Sequence, residues 1–235
     1  IHDSSAAASK WVYSHEYGRH ILENFTDGQV RTLSYENVRT DGEVDQAVED
    51  AVRRGANVIF TTTPKLLLSS VRQAALHPDV KILNCSLNTS YPSVRTYYPR
   101  LYGAKFIKGA IAGTLTRDGC IGYVADYPTY GSIASINAFA QGARMVNANA
   151  RIYLDWAHLR DGGAVGRLQA QGIVYIDYLD RLAASTGTQM GNRHNLALIQ
   201  THWGRLYQSL VRRVMEGSWK QEDQGSSAVN YWWGM

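Results

Sequence analysis

Cysteine is scarce in this sequence: its 235 residues include two, Cys85 and Cys120, each beside a short apolar run. Two thiols exclude a disulfide framework and a cysteine-rich metal cluster, and their apolar surroundings predict buried thiols. Long apolar runs are absent as well. No stretch approaches the roughly 18 apolar residues of a membrane-spanning helix, and residues 1–5 have neither the basic nor the apolar part of a signal peptide.

An excess of charge of one sign is also missing. Lys and Arg number 24 against 20 Asp and Glu, a net charge of +4, and the only adjacent basic pairs are Arg53-Arg54 and Arg212-Arg213. Nucleic-acid binding needs a clustered basic surface, so the sequence predicts no nucleic-acid partner. A content of 45% hydrophobic, 11% aromatic and 19% charged residues is typical of a globular protein, and the length permits one or two domains.

The sequence does contain a repeated alternation of apolar runs and amphipathic segments. In one such segment apolar residues recur with helical spacing, Asp41 is the predicted N-cap and Gly55 the predicted end. Helices are predicted over residues 6–25, 41–54, 64–76, 99–117, 131–146, 164–171 and 203–215. Strands are predicted over residues 30–35, 57–61, 80–84, 94–98, 120–125, 151–156, 172–176 and 195–200. In the helix predicted from Pro99, the residues expected to face inward are Leu101, Ala104, Ile107, Ile111 and Leu115.

This alternation predicts an α/β fold with parallel sheets and right-handed crossovers. Because the alternation restarts near Gly119, two sheets in series are favoured over one wide sheet, and the predicted architecture is two Rossmann-like lobes. Ile1-His2 are predicted to be the last residues of a first strand, so the first sheet is expected to be short of that strand. The family resemblance described below implies that the last strand is missing as well. Residues 177–194 mix helical and loop signals and are predicted to be irregular.

Enzyme signatures are absent. The sequence has no Gly-x-Ser-x-Gly elbow, no Gly-x-x-x-x-Gly-Lys-Ser/Thr loop and no Gly-x-Gly-x-x-Gly turn after a strand. His15-Glu16 begins like a zinc motif, but the second histidine is needed at position 19, which is arginine. His20 is one residue further on, about 100° around the helix. We therefore predict a protein that is not an enzyme and that uses no metal or other cofactor.

Polar residues instead follow the predicted strands, at the edge where open α/β sheets bind ligands: 61–63, 84–86, 126–127, 155–156 and 201–203. Four aromatic rings near these ends suit stacking on a planar base or a sugar: Trp11, Tyr127, Tyr130 and Trp203. The Asp126 carboxylate can accept hydrogen bonds from two hydroxyl groups. Each residue has a structural alternative, because Asp and Thr at strand ends cap helices and Trp rings pack in cores.

Several stretches together resemble the basic membrane protein family, the nucleoside-type substrate-binding proteins of ABC transporters. The stretches are Trp11-x-x-x-His15-x-x-Gly18-Arg19, His77-Pro-Asp-Val-Lys-Ile-Leu-Asn-Cys-Ser86, Thr96-Tyr-Tyr-x-Arg-x-Tyr102, Gly109-x-x-Ala-Gly113, Ile121-Gly-Tyr-Val-Ala-Asp-Tyr-Pro128, Ile136-Asn-Ala-Phe-x-x-Gly-Ala143 with Val146-Asn147, His202-Trp-Gly204, Gly217-x-Trp-Lys220 and Tyr231-Trp-Trp-Gly-Met235. They span nearly the whole chain, and residues 96–147 are the most specific part. The resemblance implies a periplasmic-binding-protein type I fold whose two lobes close on a ligand, typically a purine nucleoside.

The resemblance also implies which residues contact the ligand. By position they are Asp3, Trp11 and His15 in the amino-terminal loop, Thr62 and Thr63 at the next strand end, Asp126 and Tyr127 in the lobe-two loop, and His202 and Trp203 at the return to lobe one. Ser86, which follows the strand predicted over residues 80–84, is added as a ligand contact from the strand-end pattern. Lobe one is expected to comprise residues 1–117 and 202–235, and lobe two residues 118–201. Since both follow strands that open toward the cleft, Asp126 and Trp203 are expected to face each other across it.

The function implied is that of the substrate-binding component of an ABC transporter, with a nucleoside-like solute and an ABC permease as partners. An extracytoplasmic location, at the cell surface or in the periplasm, is expected. The chain departs from the family where residues 185–192 replace an acidic loop, and it has no lipobox cysteine. The alternative is an intracellular ligand-sensing or regulatory domain with the same fold, which reduced cysteines and the absence of a signal peptide favour.

Overall fold

The computed structural model describes residues 1–86, 91, 93–125, 130–157, 163–178, 196–219 and 230–233. The chain divides into two compact units, one formed by Ile1–Pro99 with Thr201–Met235 and the other by Arg100–Gln200. Residues 100–117 were expected in the first lobe, whereas the structure groups them with the second unit. The long helix in this segment is the cause, because it packs along another helix of that unit.

Both units alternate helices with parallel strands, which confirms the predicted α/β class. In chain order the elements are α1 (Lys10–Phe25), α2 (Asp41–Arg53), β1 (Val58–Thr61), a 3-10 turn (Pro64–Leu66), α3 (Leu67–Leu76), β2 (Lys81–Cys85), β3 (Arg95–Pro99), α4 (Tyr102–Leu115), β4 (Cys120–Ala125), α5 (Tyr130–Val146), β5 (Arg151–Trp156), α6 (Ala164–Ala170), β6 (Tyr175–Asp177), α7 (Trp203–Met215) and β7 (Asn230–Trp233). None of the helices in the described part of the chain is long and apolar enough to cross a membrane.

The first sheet has four parallel strands in the order β1-β2-β3-β7. Successive side chains of a strand point to opposite faces, and both faces of this sheet are covered. Ile59 and Ile82 pack with α2 and α3, while Leu83 and Cys85 pack with α1 and α7. Burial on both faces explains why Val58–Phe60 of β1 and Ile82-Leu83 of β2 are continuous apolar runs in the sequence.

The amino-terminal ends of several helices differ from the prediction. The N-cap of α2 is Thr40 rather than Asp41, because the Thr40 side chain accepts a hydrogen bond from the Glu43 amide while the Glu43 side chain bonds the Thr40 amide. The helix predicted from Pro99 begins at Tyr102, because Pro99 still belongs to β3. Helix α3 begins at Leu67, after the 3-10 turn that Pro64 opens.

Two predicted strands are not strands in the structure. Residues 30–35 form no ladder, and residues 196–200, the described part of the strand predicted over 195–200, are irregular. The first of these segments accepts one backbone hydrogen bond, from the His2 amide to the Tyr35 carbonyl at 2.9 Å. A strand needs a neighbouring strand for its backbone groups, and an alternating sequence pattern does not supply that neighbour.

The second sheet has three parallel strands in the order β5-β4-β6, and α4 packs along α5 beside it. The two helices approach so closely that a Cβ atom on Gly109 would lie 2.0 Å from the Phe139 carbonyl oxygen, and one on Gly142 would lie 1.9 Å from that of Phe106. Glycine is therefore required at both positions. The small residues of α4 make this contact.

This packing corrects the inward face predicted for α4. Ile107 is 61% exposed and Leu115 is 40% exposed, while the buried positions include two lysines, Lys105 and Lys108. The Lys105 Nζ atom lies 2.7 Å from Asp177 Oδ2, and Lys108 Nζ contacts the other oxygen of the same carboxylate. All three side chains are buried. These ion pairs connect α4 to the last residue of β6.

Substitution Gly142→Ala is expected to destabilise the second unit by about 1–3 kcal/mol, because the added methyl group must push the α4 backbone away. The matched control is Gly166→Ala in α6, where nothing lies within 4 Å of the added Cβ. The control should leave the stability unchanged or raise it by less than about 1 kcal/mol. Urea unfolding of both variants measures the difference, and equal stabilities would contradict the close approach of α4 and α5.

Substitution Asp177→Asn is expected to cost about 3–5 kcal/mol, because it leaves two buried ammonium groups without this carboxylate. Burial raises the pKa of Asp177, but the charges of Lys105 and Lys108 outweigh it and hold this pKa below its ordinary value. The carboxylate therefore stabilises the fold above its unfolded pKa, about 4, and this contribution is lost as the pH falls further.

Denaturant unfolding between pH 3 and 7 should show a smaller pH dependence for Asp177→Asn than for the parent chain. Adding Lys105→Met removes one unbalanced charge and should recover part of the lost stability. If the Asp177→Asn protein has the same free energy of unfolding as the parent chain at pH 7, the ion pairs do not stabilise the fold as described.

Candidate functional site

At the carboxyl edge of the first sheet, polar side chains form hydrogen bonds with one another and with the backbone. Thr61 of β1 lies beside Asn84 of β2, and the Asn84 Nδ2 group donates to Thr61 Oγ1 at 2.8 Å and to the Thr63 carbonyl at 2.9 Å. The hydroxyl groups of Thr61 and Ser70 are 2.9 Å apart. All four side chains are buried. The loop after β1 is therefore held in place by hydrogen bonds that cross from one strand end to the next.

A second set of bonds ties α1 to the same loop. Trp11 Nε1 donates to the Thr62 carbonyl at 2.7 Å. Thr62 Oγ1 lies 2.9 Å from His2 Nδ1, and His2 Nε2 lies 2.9 Å from Glu16 Oε1. Together these contacts fix the direction in which residues 62 and 63 leave the strand.

The ionisation of this chain of contacts follows from burial and charge. Burial lowers the pKa of His2, which favours its neutral form. Burial raises the pKa of Glu16, but hydrogen bonds from His2, Arg19 and Ser34 outweigh it and keep the pKa well below its ordinary value. Glu16 is consequently a carboxylate at neutral pH, and Arg19 lies against it at 2.9 Å.

Beneath this edge lies a cluster of aromatic rings contributed by α1, α7 and β3. The His15 ring stacks on Trp203 with centroids 4.2 Å apart, and Trp11 meets their edges at 5.1 and 5.4 Å. His15 Nδ1 lies 2.5 Å from the Tyr207 hydroxyl group, and Tyr97 meets the edge of Trp203 at 5.4 Å. All five rings are buried. The cluster is thus a core that joins α1 to α7 directly under the polar edge.

The residues predicted for the ligand site fall into three groups. Six are buried in the first unit: Trp11, His15, Thr62, Thr63, Ser86 and Trp203. Two reach the surface. Asp3 is partly exposed, with an oxygen 3.7 Å from Lys65 Nζ, and His202 is exposed at the N-cap position of α7, where its side chain makes no cap bond. Asp126 and Tyr127 lie outside the described residues, so the predicted position of Asp126 opposite Trp203 and the predicted ligand contact of Tyr127 stay predictions.

Trp203 has the contacts of a packing residue. Its side chain is fully buried, and its indole N–H donates to Ser14 Oγ at 3.0 Å. Helix α1 can approach Trp203 this closely because Gly18 has no Cβ atom. A Cβ atom at that position would lie only 2.8 Å from Trp203 Cβ. These contacts match the core alternative for Trp203, and a ligand contact for this ring stays a prediction.

The ion pairs of Asp177 were not identified from the sequence. Asp177 ends β6 and lies in register with Tyr123 of β4, and Lys105 Nζ sits 5.2 Å from the centre of the Tyr123 ring. The group therefore belongs to the carboxyl edge of the second sheet. One sequence feature could have indicated these ion pairs: two lysines, Lys105 and Lys108, lie three residues apart in an otherwise apolar helix.

The described residues contain no group of three His, Cys, Asp or Glu side chains that could hold a metal ion. His15 and His20 of the zinc-like stretch point to different surroundings, since His15 is buried and the side chain of His20 is 60% exposed. The chemistry available at the two sheet edges is that of hydrogen bonding and ion pairing.

The chain is similar in sequence to substrate-binding proteins of ABC transporters. A family model for PnrA-like ABC transporter substrate-binding proteins matches residues 1–186. A purine-binding protein of Brucella abortus is 25% identical and aligns with 96% of this chain and 68% of its own length. A Haloferax volcanii protein named as an ABC transporter glucose-binding protein is 24% identical and aligns with 96% of this chain. The chain spans 61% of that second relative's length.

Solved structures agree with the predicted fold. A solute-binding protein of an ABC transporter from Conexibacter woesei superposes with a TM-score of 0.67 at 14% identity, covering 94% of this chain and 81% of the other. At this identity the likeness shows the fold, and it confirms the expected periplasmic-binding-protein type I class. The family match over residues 1–186, more than half of the chain, shows that the chain belongs to the Bmp family of PnrA-like ABC transporter substrate-binding proteins.

Proposed function

We propose that the protein binds a purine nucleoside or a closely related compound and presents it to an ABC permease on the extracytoplasmic side of a membrane. The observation that carries this proposal is the family match over residues 1–186, which coincides with 25% identity to a purine-binding protein across 96% of the chain. The sheet edges support it, because ligands of open α/β sheets bind at the carboxyl ends of parallel strands.

The buried residues of the first edge are positioning residues in this proposal. Trp11 holds the Thr62 carbonyl, and Asn84 holds the Thr63 carbonyl. These two bonds hold adjacent carbonyl groups of the loop in place without a ligand. A preformed loop lowers the entropic cost of binding, since fewer groups have to be ordered by the solute.

The direct ligand contacts are assigned to Asp126 and Tyr127, which follow β4, and to Asp3 and His202. A carboxylate such as that of Asp126 accepts hydrogen bonds from two ribose hydroxyl groups, and charge-assisted bonds of this kind are stronger than neutral ones. The ring of Tyr127 supplies a flat face for a purine base. The proposed activity is reversible binding, and no residue is assigned to bond making or breaking.

Isothermal titration calorimetry with purine nucleosides, pyrimidine nucleosides, free nucleobases and glucose tests the proposal. Purine nucleosides are expected to bind, with weaker or no heat from the free bases, which lack the ribose hydroxyl groups. Glucose is included because one relative is named for glucose binding. Binding of glucose alone would replace the proposed ligand class, and no heat from any compound with a folded sample would contradict the proposed function.

Substitution Asp126→Asn is expected to weaken nucleoside binding by about 1–3 kcal/mol while leaving the melting temperature unchanged, because the lost interaction exists only with ligand present. Asp118→Asn is the matched control at the opposite end of β4, where Asp118 accepts hydrogen bonds from Thr116 and the Cys120 amide. This control should bind like the parent. If Asp126→Asn instead lowers the melting temperature and leaves affinity intact, Asp126 is a helix cap.

Substitution Trp203→Ala is expected to cost about 3–5 kcal/mol of stability, because it empties the centre of the aromatic cluster. Tyr13→Ala in α1 is a suitable control, since the Tyr13 side chain is 57% exposed and its loss should change stability by less than about 0.5 kcal/mol. Guanidinium unfolding measures both. A Trp203→Ala protein of parental stability that has lost nucleoside binding would make Trp203 a ligand contact instead.

A further inference from the structure

Helix α3 buries polar side chains and exposes leucines. Ser69, Ser70 and Gln73 are buried, whereas Leu68 is 69% exposed and Leu76 is 63% exposed. A helix at the surface of a globular protein normally has the reverse arrangement, with apolar residues toward the core and polar residues toward solvent. The two leucines therefore occupy the side of the helix where polar residues are expected.

The buried polar residues of α3 are bonded to α2. The Ser69 hydroxyl group donates to Asp41 Oδ1 at 2.5 Å, and Gln73 Nε2 donates to Asp45 Oδ1 at 2.6 Å. These bonds set the rotation of α3 about its own axis. The outward direction of the leucines is thus a consequence of the contact between α2 and α3.

Leu68, Arg72 and Leu76 form one ridge along the outer face of α3. They are spaced four residues apart, and residues with this spacing are neighbours on a helix surface. Arg72 Nη2 lies 2.7 and 2.9 Å from the two carboxylate oxygens of Asp45. The positive charge in the middle of the ridge is therefore balanced within the chain.

The charges beyond the two ends of this ridge have opposite signs. Lys65, just before α3, has a side chain that is 56% exposed, and Asp79, just after α3, is exposed as well. Lys65 Nζ lies 3.7 Å from Asp3 Oδ2, but an ammonium group has three donors and can bind a second carboxylate. The outer face of α3 thus has a cation at one end, an anion at the other and leucines between them.

This face is complementary to itself when two copies of α3 run in opposite directions. Leu68 and Leu76 lie four residues to either side of Arg72, and Lys65 and Asp79 lie seven residues to either side. If the two helices cross at Arg72, Leu68 of each copy meets Leu76 of the other, and Lys65 of each copy meets Asp79 of the other. Twofold dimers bury the same surface patch of both subunits, which requires such symmetry.

We propose that the outer face of α3 is a homodimer interface, on which a second copy of this chain docks with its own α3 antiparallel and with the twofold axis at Arg72. A partner with charge of one sign would be repelled at one end of the face, whereas a second copy is attracted at both ends. A contact through one helix of each copy is at the small end of specific interfaces, so the dimer is weak and reversible. This inference is independent of the proposed ligand function.

Sedimentation velocity of the 235-residue chain between about 5 and 500 μM tests the interface. The parent chain is expected to pass from monomer to dimer in this range. Leu68→Asp should raise the dissociation constant of the dimer at least about tenfold, because it places two carboxylates in the apolar contact. The variant is expected to fold, since a carboxylate suits the first turn of a helix. The matched control is Ile133→Asp in the first turn of α5, where Ile133 is 48% exposed, and it should associate like the parent.

Charge reversal tests the antiparallel arrangement. Lys65→Glu and Asp79→Lys each place like charges opposite each other at both ends of the interface and should each raise the dissociation constant about three- to tenfold. The double variant restores opposite charges and should associate like the parent. Circular dichroism shows whether each variant is folded.

Three results would overturn the proposal: a parent chain that stays monomeric over the whole range, a folded Leu68→Asp protein that associates like the parent, or a double variant no better than the single ones. In the first case the leucine face belongs to a different protein partner. Calorimetry with a purine nucleoside on the parent chain reports separately on the proposed function.

Discussion

The packing of α1 against α7 is the contact on which the first unit depends. It joins residues that are far apart in the chain: the bond between His15 and Tyr207 spans 192 positions, and that between Trp203 and Ser14 spans 189. Two glycines permit it, because a Cβ atom at Gly18 or Gly204 would lie 2.8 Å from the facing helix. In sequence, the second unit, Arg100–Gln200, therefore interrupts the first unit, to which the later residues 201–235 also belong.

The same contact supports the polar edge above it. Trp11 stacks its edge on the His15–Trp203 pair and donates its indole N–H to the Thr62 carbonyl. Trp11 thus connects the aromatic core directly to the loop after β1. A substitution in the core is expected to disturb ligand binding indirectly, through the position of that loop, even where the substituted residue touches no ligand.

Much of the fold was predictable from the sequence because helix and strand periods differ. The strands β1, β2 and β4 and the helix α5 have uninterrupted patterns, and the predicted ranges agree with the structure within one or two residues. The failures share a cause. Residues 30–35 have a strand pattern but no ladder, and α4 buries lysines because glycines bring it against α5. Both outcomes depend on neighbours that local periodicity does not identify.

The candidate site was predictable to a smaller extent. The strand-end rule located Thr62, Thr63 and Ser86 correctly at the carboxyl edge, but it did not distinguish residues that position a loop from residues that touch a ligand. That distinction depends on burial, which the sequence leaves open for Trp11 and Trp203. The charged group around Asp177 was missed because lysine is normally a solvent-exposed residue.

The central claim is that a purine nucleoside binds at the carboxyl ends of the parallel strands. Amide chemical shifts of the labelled protein, recorded with and without adenosine, test it most directly. The account predicts that shifts concentrate at residues 61–63, 84–86 and 125–127, while the amino ends of the same strands, at Asn57, Lys81 and Cys120, stay unchanged. Shifts confined to the amino ends of the strands, or no shifts at all, would contradict it.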